Sequence, residues 1–549
     1  MFKNIGSDLK AGLVVFLVAL PLCLGISVAQ GVNPLAGLIS GIVGGIVVAL
    51  ISGSNLSVSG PAAGLTATVL AALYPGQFGL SIPALTFDQF LTAILIAGFF
   101  QILLAVFRAG IIGHYIPVSV IKGMLSGIGI ILVIKQIPHL FGYDKDPEGD
   151  FQFIQMDGRN SFTEIIHMIN YITPGAAFIG LFSIFLLIIW NTKSIKQNKI
   201  FSAIPGPLLV VFSAVFINFL FKLYFTDTLV VAGLHLVDMP NLSSMQELKE
   251  NFHYAEFEAL KNSHVWIIGI SLGLIASIES LLGVEAVDKL DPDFNITPTN
   301  RELVAQGIGN IICGLLGGIP VTSVIVRSSA NVSAGAKTKM ASIFHGILLL
   351  VAIFLIPSLL ELIPLSALAA ILIFTGWRLA KPTSSNISTL ISIGFLIPSL
   401  FKIRISSEEK HKTIVKNGIA QFLPFLVTLV VMLFTDLLKG VAAGLFVGII
   451  FILRQNFKDP FRLLSDTIDG QKSYFIRLQQ NVTFINKGKF IEFFQKVEPG
   501  SHVSIDGGRC TFIDRDVLEA ITEFKYSAHL KNIKVVLEGI EEVEILNNH

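Results

Sequence analysis

The sequence has few charged residues for its length. Asp, Glu, Lys and Arg make up 14% of its 549 residues, whereas a soluble protein carries about a quarter. Hydrophobic residues make up 53%, and they gather into many separate runs that are long enough to cross a hydrocarbon core of about 30 Å. The composition therefore excludes an ordinary soluble protein and predicts a polytopic, all-α membrane protein.

Other absences exclude whole classes of function. The formal net charge is only +1, so nothing indicates a nucleic-acid partner. Cys23, Cys313 and Cys510 lie far apart without the spacing of metal ligands, and we expect isolated reduced thiols. Neither a His-Glu-x-x-His nor a Gly-x-Ser-x-Gly motif occurs, so we predict that the protein is not an enzyme. We expect no cofactor other than Na⁺ or H⁺ as a coupling ion.

The apolar runs predict about fourteen spans, arranged as seven plus seven. Those of the first half cover residues 11–30, 34–52, 61–76, 88–107, 115–136, 172–190 and 205–224. Those of the second half cover residues 264–287, 301–318, 323–336, 340–357, 363–379, 414–436 and 438–455. Together they predict a transmembrane domain over 1–457, with inverted halves at about 1–225 and 262–455.

The placement of Lys and Arg predicts the orientation. Eleven of them fall on one side of this arrangement, which is therefore predicted to be cytoplasmic: Lys3, Lys10, Arg108, Lys193, Lys196, Lys199, Lys337, Lys339, Arg378, Lys381 and Arg454. Both termini then face the cytoplasm, and we expect the cell (inner) membrane as the location. Segment 381–413 is predicted to be an interfacial helix, although it would reverse the side of the C-terminal domain if it spanned.

The composition becomes soluble after Pro460. Strand-like segments at 474–478, 502–506 and 533–537 alternate with helix-like segments at 487–497 and 514–530. This alternation predicts a small cytoplasmic α/β domain over 458–549.

Two spans are short and broken by glycine and proline. Gly60-Pro61 and Gly318-Ile319-Pro320 interrupt the third span of each half. Matched broken segments are typical of inverted-repeat transporters, which build their substrate site there. The alternative is that these residues only kink two ordinary helices.

Such half-helices suit an anion, because a helix N-terminus offers unpaired N–H groups and about half a positive charge. We expect Pro61 in the first turn of one half-helix, bare backbone behind it for close approach of the anion, and Thr322 or Ser323 capping the other half-helix. The predicted substrate site comprises Ser59, Gly60, Pro61, Ala62, Ala63, Gly64, Thr322 and Ser323.

Ionisable residues inside spans are rare and usually functional. Glu279 lies within an apolar helix, next to Ser280, and Arg327 follows the second break. Two helix ends and Arg327 total about +2, which ionised Glu279 lowers to about +1. Glu279, together with Ser280, is therefore the candidate for proton coupling or for a Na⁺ site. The alternatives are a structural hydrogen bond for Glu279 and snorkelling to the inner face for Arg327.

At these residues the chain resembles the SulP family of inorganic anion transporters. The resemblance rests on five stretches: Leu56 to Thr66, Ile278 to Leu282, Asn300 to Asn310, Gly317 to Pro320, and Ala334 to Thr338. It implies a seven-plus-seven inverted repeat with core and gate domains, a substrate site between the third and tenth spans, elevator-type movement and a homodimer.

Further roles follow from the resemblance alone. Glu279 matches the family's acidic residue on the eighth span. Arg327 with Ser328 matches the Arg-bearing start of the tenth, which adds both residues to the predicted substrate site. The first span lacks the Gln of many sulfate-type members and looks more like the bicarbonate-transporting branch. Na⁺-coupled bicarbonate transporters have Thr where Gly283 stands, and Asp where Glu279 stands.

The tail 473–549 resembles a STAS domain through Val503 to Asp514. Where phospho-regulated STAS domains carry Ser, this chain has Arg515-Asp516, which speaks against a phosphorylation switch and leaves a cytosolic regulator as a partner. Bicarbonate is the first expected substrate, followed by sulfate and then chloride. An uncoupled anion channel, an exchanger and a sensory membrane protein remain alternatives.

Overall fold

The computed structural model describes most of the chain. The described residues are 4–75, 83–145, 153, 159–192, 195, 197, 204–225, 229–239, 252–355, 357–380, 422–456, 461–468 and 471–543. Segment 381–413, predicted as an interfacial helix, lies outside them. Contacts divide the chain into two compact units, Met1–Leu445 and Phe446–His549.

The first half of the larger unit contains eight described helices and one short strand. They are α1 (Ile5–Ala29), α2 (Pro34–Ile51), β1 (Ser59–Pro61), α3 (Ala63–Leu73), α4 (Phe87–Val106), α5 (Val118–Leu140), α6 (Ser161–Met168), α7 (Pro174–Trp190) and α8 (Gly206–Tyr224). Helix α2 contains a π-helical stretch at Gly44–Val48, and α3 begins with a 3₁₀ turn at Ala63–Leu65.

The second half follows the same order. Its described elements are α9 (Ser263–Leu290), α10 (Thr299–Leu316), β2 (Val321–Ser323), α11 (Ile325–Ser333), α12 (Met340–Leu355), α13 (Pro357–Leu360), α14 (Leu365–Ala380), α15 (Phe422–Phe434) and α16 (Leu437–Asn456). Every predicted span overlaps one of these helices. Six described helices are long and apolar enough to cross a membrane, and further apolar helices are shorter. The prediction of a polytopic helical membrane fold is confirmed.

The helices pack in a pattern that repeats between the halves. Helix α1 packs on α12, and its counterpart α9 packs on α4; likewise α2 packs on α12 and α10 on α4. These contacts join α1–α4 with α9–α12, which we call the core set. Helices α5, α7 and α8 pack with α14 and α15, and with α16 they form the gate set.

The smaller unit is an α/β fold. Its main sheet has the order β3 (Phe461–Ile468), β4 (Gln471–Leu478), β6 (His502–Asp506), β8 (Lys534–Glu538), with β3–β4 antiparallel and the other pairs parallel. A second pair joins β5 (Asn481–Val482) to β7 (Phe512–Ile513). Helices α17 (Lys487–Lys496) and α18 (Arg515–Ala528) bury Phe490 and Phe524 in its core. This α/β region is consistent with the predicted STAS-like domain.

A buried asparagine fixes the position of β2. The Asn310 side chain accepts a hydrogen bond from the Val321 amide at 2.7 Å and donates one to the Val321 carbonyl at 3.0 Å. It also donates to the Gln101 side chain on α4. Because Asn310 is fully buried, its loss leaves backbone groups without partners where water does not reach.

Replacing Asn310 with Ala should lower the free energy of unfolding by about 1–3 kcal/mol, since the buried Val321 amide loses its partner. Thermal unfolding of the purified protein measures this. Asn191→Ala is the matched control, because Asn191 makes only a local bond to the Leu187 carbonyl at the end of α7. Equal melting temperatures for the two variants would contradict the assigned role.

Asp144, in the segment that follows α5, lies between two histidines and links this segment to residues 229–239. Asp144, nearly fully buried, lies 2.8 Å from His139 Nδ1 and 2.6 Å from His235 Nδ1. Burial by itself raises the pKa of Asp144, but the hydrogen bonds to His139 and His235 lower it overall. The hydrogen bond to Asp144 raises the pKa of His235 above its ordinary value.

The Asp144–His235 link should weaken in alkaline solution. The Asp144 contribution is present above the ordinary Asp pKa of about 4, and the His235 contribution is complete below the ordinary His pKa of about 6.5. The stabilising contribution of His235 is lost as the pH rises through its raised pKa. Hydrogen-exchange protection factors of residues 229–239 should therefore fall between mildly acidic and alkaline pH, and Asp144→Asn should remove the change. A pH response that persists in Asp144→Asn would argue against this link.

Candidate functional site

The two broken spans meet through a pair of very short strands. β1 and β2 run antiparallel, with Ser59 opposite Ser323, Gly60 opposite Thr322 and Pro61 opposite Val321. The Ala62 amide extends the ladder by donating to the Pro320 carbonyl at 3.1 Å. The matched breaks seen in the sequence are therefore in direct contact.

A half-helix follows each strand. The chain leaves β1 into α3, beginning at Ala63, and leaves β2 into α11, beginning at Ile325. Neither helix is capped by the side chain of its own N-cap residue. The Gly64 amide of α3 faces the Glu279 carboxylate, and the other amides of the first turns have no partner within their own helix.

Two details of the prediction were wrong. Pro61 lies in β1 rather than in the first helical turn, because its partner position opposite Val321 continues the ladder. Thr322 and Ser323 do not cap α11, because both belong to β2 and Val324 is the N-cap residue.

Both helix starts border one cavity of about 560 Å³. Ala63 and Gly64 line it from α3, and Ser323 lines it from β2, together with the first residues of α11. The gate set contributes the opposite wall, through Ile128, Ile131, Met432, Phe434 and Leu437. The cavity thus lies between the core set and the gate set.

Glu279 lines this cavity from α9. A Cβ on Gly64 would stand 2.8 to 2.9 Å from the Glu279 carboxylate atoms, so the carboxylate lies directly against the backbone of Gly64. The Gly64 amide and the Thr322 hydroxyl face this carboxylate, while among the described residues its Oε2 atom and the neighbouring Ser280 hydroxyl have no hydrogen-bond partner. The carboxylate therefore keeps an unused acceptor beside the half-helix starts.

Arg327 is fully buried behind β1 rather than in the cavity wall. A Cβ atom on Gly60 would collide with the Arg327 guanidinium. Position 60 therefore requires glycine, which has no side chain. Among the described residues the guanidinium has no oxygen acceptor, and it lies beside the buried Cys23 thiol. Its position excludes snorkelling, because the whole side chain is inaccessible to solvent. Arg327 is an uncompensated positive charge about one helical turn behind the start of α11.

Other predicted site residues are occupied with holding the strands. The Ser328 hydroxyl accepts from the Val58 amide at 2.9 Å and donates to the Val324 carbonyl. The Ser59 hydroxyl accepts from Gln306 at 2.7 Å. Neither Ser59, Gly60, Pro61, Ala62, Thr322 nor Ser328 lines the cavity.

Sequence reasoning missed the side chains that support the site. Besides Asn310, Gln30 donates to the Ala62 carbonyl at 3.0 Å and Asn331 donates to the Leu56 carbonyl at 2.9 Å. Gln306 also donates to the buried Glu302. The signal in the sequence was a polar amide side chain within an apolar helix or, for Gln30, at the end of one, where an unsatisfied polar group is costly.

The described residues contain no group of three His, Cys, Asp or Glu side chains that converges on a metal position. A Na⁺ ion near Glu279 would therefore depend on hydroxyl and carbonyl oxygens. The carbonyl oxygen and the hydroxyl of Ser323 lie close to Gly283. A Cβ atom built on Gly283 would stand 2.6 Å from that carbonyl oxygen and 2.9 Å from Ser323 Oγ.

Curated proteins with similar sequences are transporters. A bicarbonate transporter, BicA, of Picosynechococcus sp. (strain ATCC 27264 / PCC 7002 / PR-6) is 28% identical over 68% of this chain and 62% of its own. High affinity sulfate transporter 2 of Stylosanthes hamata is 27% identical over 68% of this chain and 54% of its own. The chain therefore spans roughly three fifths of these two relatives.

A solved structure shares the fold. The murine Solute Carrier 26 family member A9 anion transporter, in the inward-facing state, superposes with a TM-score of 0.64 at 15% identity, over 98% of this chain and 86% of its own. The sequence profile of the Sulfate permease family matches residues 5–399, most of the chain. The family and the relatives are transporters, which confirms the prediction that this protein is not an enzyme. The chain belongs to the sulfate permease family.

Proposed function

We propose that the protein is a secondary active transporter of a small inorganic anion, either bicarbonate or sulfate, coupled to H⁺ or Na⁺. The observation that carries the proposal is the β1–β2 pair, which brings two uncapped helix starts to one cavity beside a carboxylate. An anion that leaves water needs donors and positive charge in place of its hydration shell. Both are present at this point.

The charge of the site matches a small anion. Two helix ends contribute about one positive charge in total. Arg327 adds a second charge from behind β1, where it acts through its field rather than by contact. Ionised Glu279 subtracts one, so the site is near +1 when Glu279 is charged and near +2 when it is neutralised. The first state suits a monoanion and the second a dianion.

Glu279 is the proposed coupling residue. Its carboxylate faces the Gly64 backbone, at the edge of the cavity that receives the anion. A proton, or Na⁺ beside it, removes the repulsion between the carboxylate and the anion. Binding of the cation and of the anion then favour each other, which is the thermodynamic condition for symport.

A proton is the coupling ion that the local packing favours. Gly283, one turn after Glu279, adds no hydroxyl ligand, and a side chain there would meet Ser323. Na⁺ prefers several oxygen ligands, as other hard cations do, whereas a proton needs only the carboxylate.

Alternating access would follow from movement of the core set against the gate set. The cavity borders both sets, so a rigid displacement of one would change the side to which it opens. We propose this elevator-type movement. We also propose that both termini are cytoplasmic, that the protein lies in the inner membrane and that it is a homodimer. Its two proposed domains are 1–457 and 458–549, and the second is STAS-like and could bind a cytosolic regulator.

An uncoupled anion channel or an exchanger of the same fold is the second candidate, because the same helix starts would bind a permeating anion. Uptake of labelled bicarbonate and sulfate into proteoliposomes, with Na⁺ and pH gradients imposed separately, distinguishes them. Accumulation against the anion's own gradient is the expected result. Turnover well above about 10³ per second without accumulation would indicate a channel instead.

Replacing Glu279 with Gln should make net anion uptake independent of an imposed pH gradient, because the site no longer gains or loses a proton. Anion-for-anion exchange should persist, since the helix starts are intact. Glu285→Gln is the control on the same helix: Glu285 pairs with Lys289 and does not line the cavity. Unchanged pH and Na⁺ dependence in Glu279→Gln would exclude Glu279 as the coupling residue.

Replacing Gly64 with Ala should weaken the apparent anion affinity about tenfold, equivalent to about 1.4 kcal/mol. The added methyl group must displace the Glu279 carboxylate or the start of α3. Concentration dependence of uptake measures the change. Gly6→Ala is the matched control, because its Cβ would meet no atom within 4 Å. An unaltered affinity in Gly64→Ala would show that the anion binds elsewhere.

A further inference from the structure

A second cavity also lies between the core set and the gate set, at the end of α11 rather than at its start. Its volume is about 390 Å³, within the usual range of small-molecule sites. The core set borders it at the beginning of α1 and the end of α11, and the gate set borders it at the end of α7, the beginning of α8 and the end of α14. It shares no lining residue with the cavity at Glu279.

The charged residues among the described lining residues of this second cavity are both positive. Lys10 comes from α1 and Arg378 from α14, so each set of helices supplies one cation. No acidic residue is among the described lining residues, and among the described residues neither cation forms an ion pair. Two like charges on one wall repel each other unless an anion lies between them.

The remainder of the wall is mostly apolar. Val14, Leu187, Ile371 and Phe374 line it, and Trp190 closes one side, where its indole donates to the Ile204 carbonyl at 2.9 Å. Tryptophan commonly lies at the level of lipid headgroups. A ligand that fits has an anionic head and an apolar body, which a free inorganic anion lacks.

The location agrees with such a ligand. Lys10 and Arg378 are at the helix ends that the distribution of Lys and Arg predicts to be cytoplasmic, and the cytoplasmic leaflet carries the anionic lipids. Basic pockets between transmembrane helices on this side are suited to phosphate headgroups.

We propose that this cavity binds the phosphate headgroup of an anionic phospholipid, with Lys10 and Arg378 as its two ligands. A headgroup held by both cations connects the core set to the gate set. It therefore stabilises the arrangement in which the two sets stand at this distance, by mass action on that state. Anionic lipid content would then set the fraction of protein free to move, whatever anion is transported.

The test measures lipid binding directly and needs no transport assay. Purified protein is exchanged into nanodiscs of phosphatidylcholine alone or with increasing phosphatidylglycerol, and retained phosphatidylglycerol and thermal stability are recorded. We expect specific retention of phosphatidylglycerol and a rise in melting temperature. Lys10→Gln with Arg378→Gln should weaken the phosphatidylglycerol affinity roughly 25-fold, about fivefold for each cation.

Controls separate a built site from general surface attraction. Arg108→Gln removes an exposed cation that does not line the cavity, at the same predicted side, and should leave binding unchanged. The charge-conserving pair Lys10→Arg with Arg378→Lys should restore binding if the Gln variant folds poorly. The proposal is overturned if Arg108→Gln weakens binding as much as the double variant, or if glycerol phosphate in solution stabilises the protein as much as the lipid. Because binding is read without flux, it stands or fails independently of the transport proposal.

Discussion

The fold depends on how two three-residue strands pair between half-helices. Antiparallel hydrogen bonds between β1 and β2 satisfy backbone groups that neither half-helix can satisfy, which is essential where no water is present. They also bring the first turns of α3 and α11 to the same cavity. The broken spans are tolerated because the strands repair each other, and the uncapped amides beyond them become available for a ligand.

The surrounding polar side chains keep this pair in place. Asn310 holds both backbone groups of Val321, Ser328 holds the Val58 amide, and Gln30 holds the Ala62 carbonyl. These bonds come from α10, from α11 and from the residue that follows the end of α1, all within the core set. The site is therefore carried by one packed body, while the gate set supplies the facing wall.

The sequence was sufficient for much of the fold. Long apolar runs marked the long helices of the larger unit, since about twenty apolar residues have few alternatives to a spanning helix. The short helices α6 and α13 correspond to no predicted span. Gly60-Pro61 and Gly318 to Pro320 marked the two breaks, and the structure brings them into contact. Glu279 stood out as a carboxylate in an apolar helix, and it does line the cavity.

What the sequence did not reveal depends on contacts between distant segments. A proline before a helix fits a strand end or a first turn equally well, and only pairing with Val321 decides that Pro61 lies in β1. Arg327 resembles a ligand in sequence, but the path of α11 directs it behind Gly60. The roles of Gln306 and Asn331 likewise require partners that lie hundreds of positions away in the chain.

Locating a heavy anion in the protein tests the central claim most directly. A crystal of the protein soaked with selenate, mapped by anomalous scattering, should show a peak between the first turns of α3 and α11, within hydrogen-bond distance of their amides. A well-occupied peak elsewhere, with the space beside Gly64 and Val324 lacking one, would contradict the account.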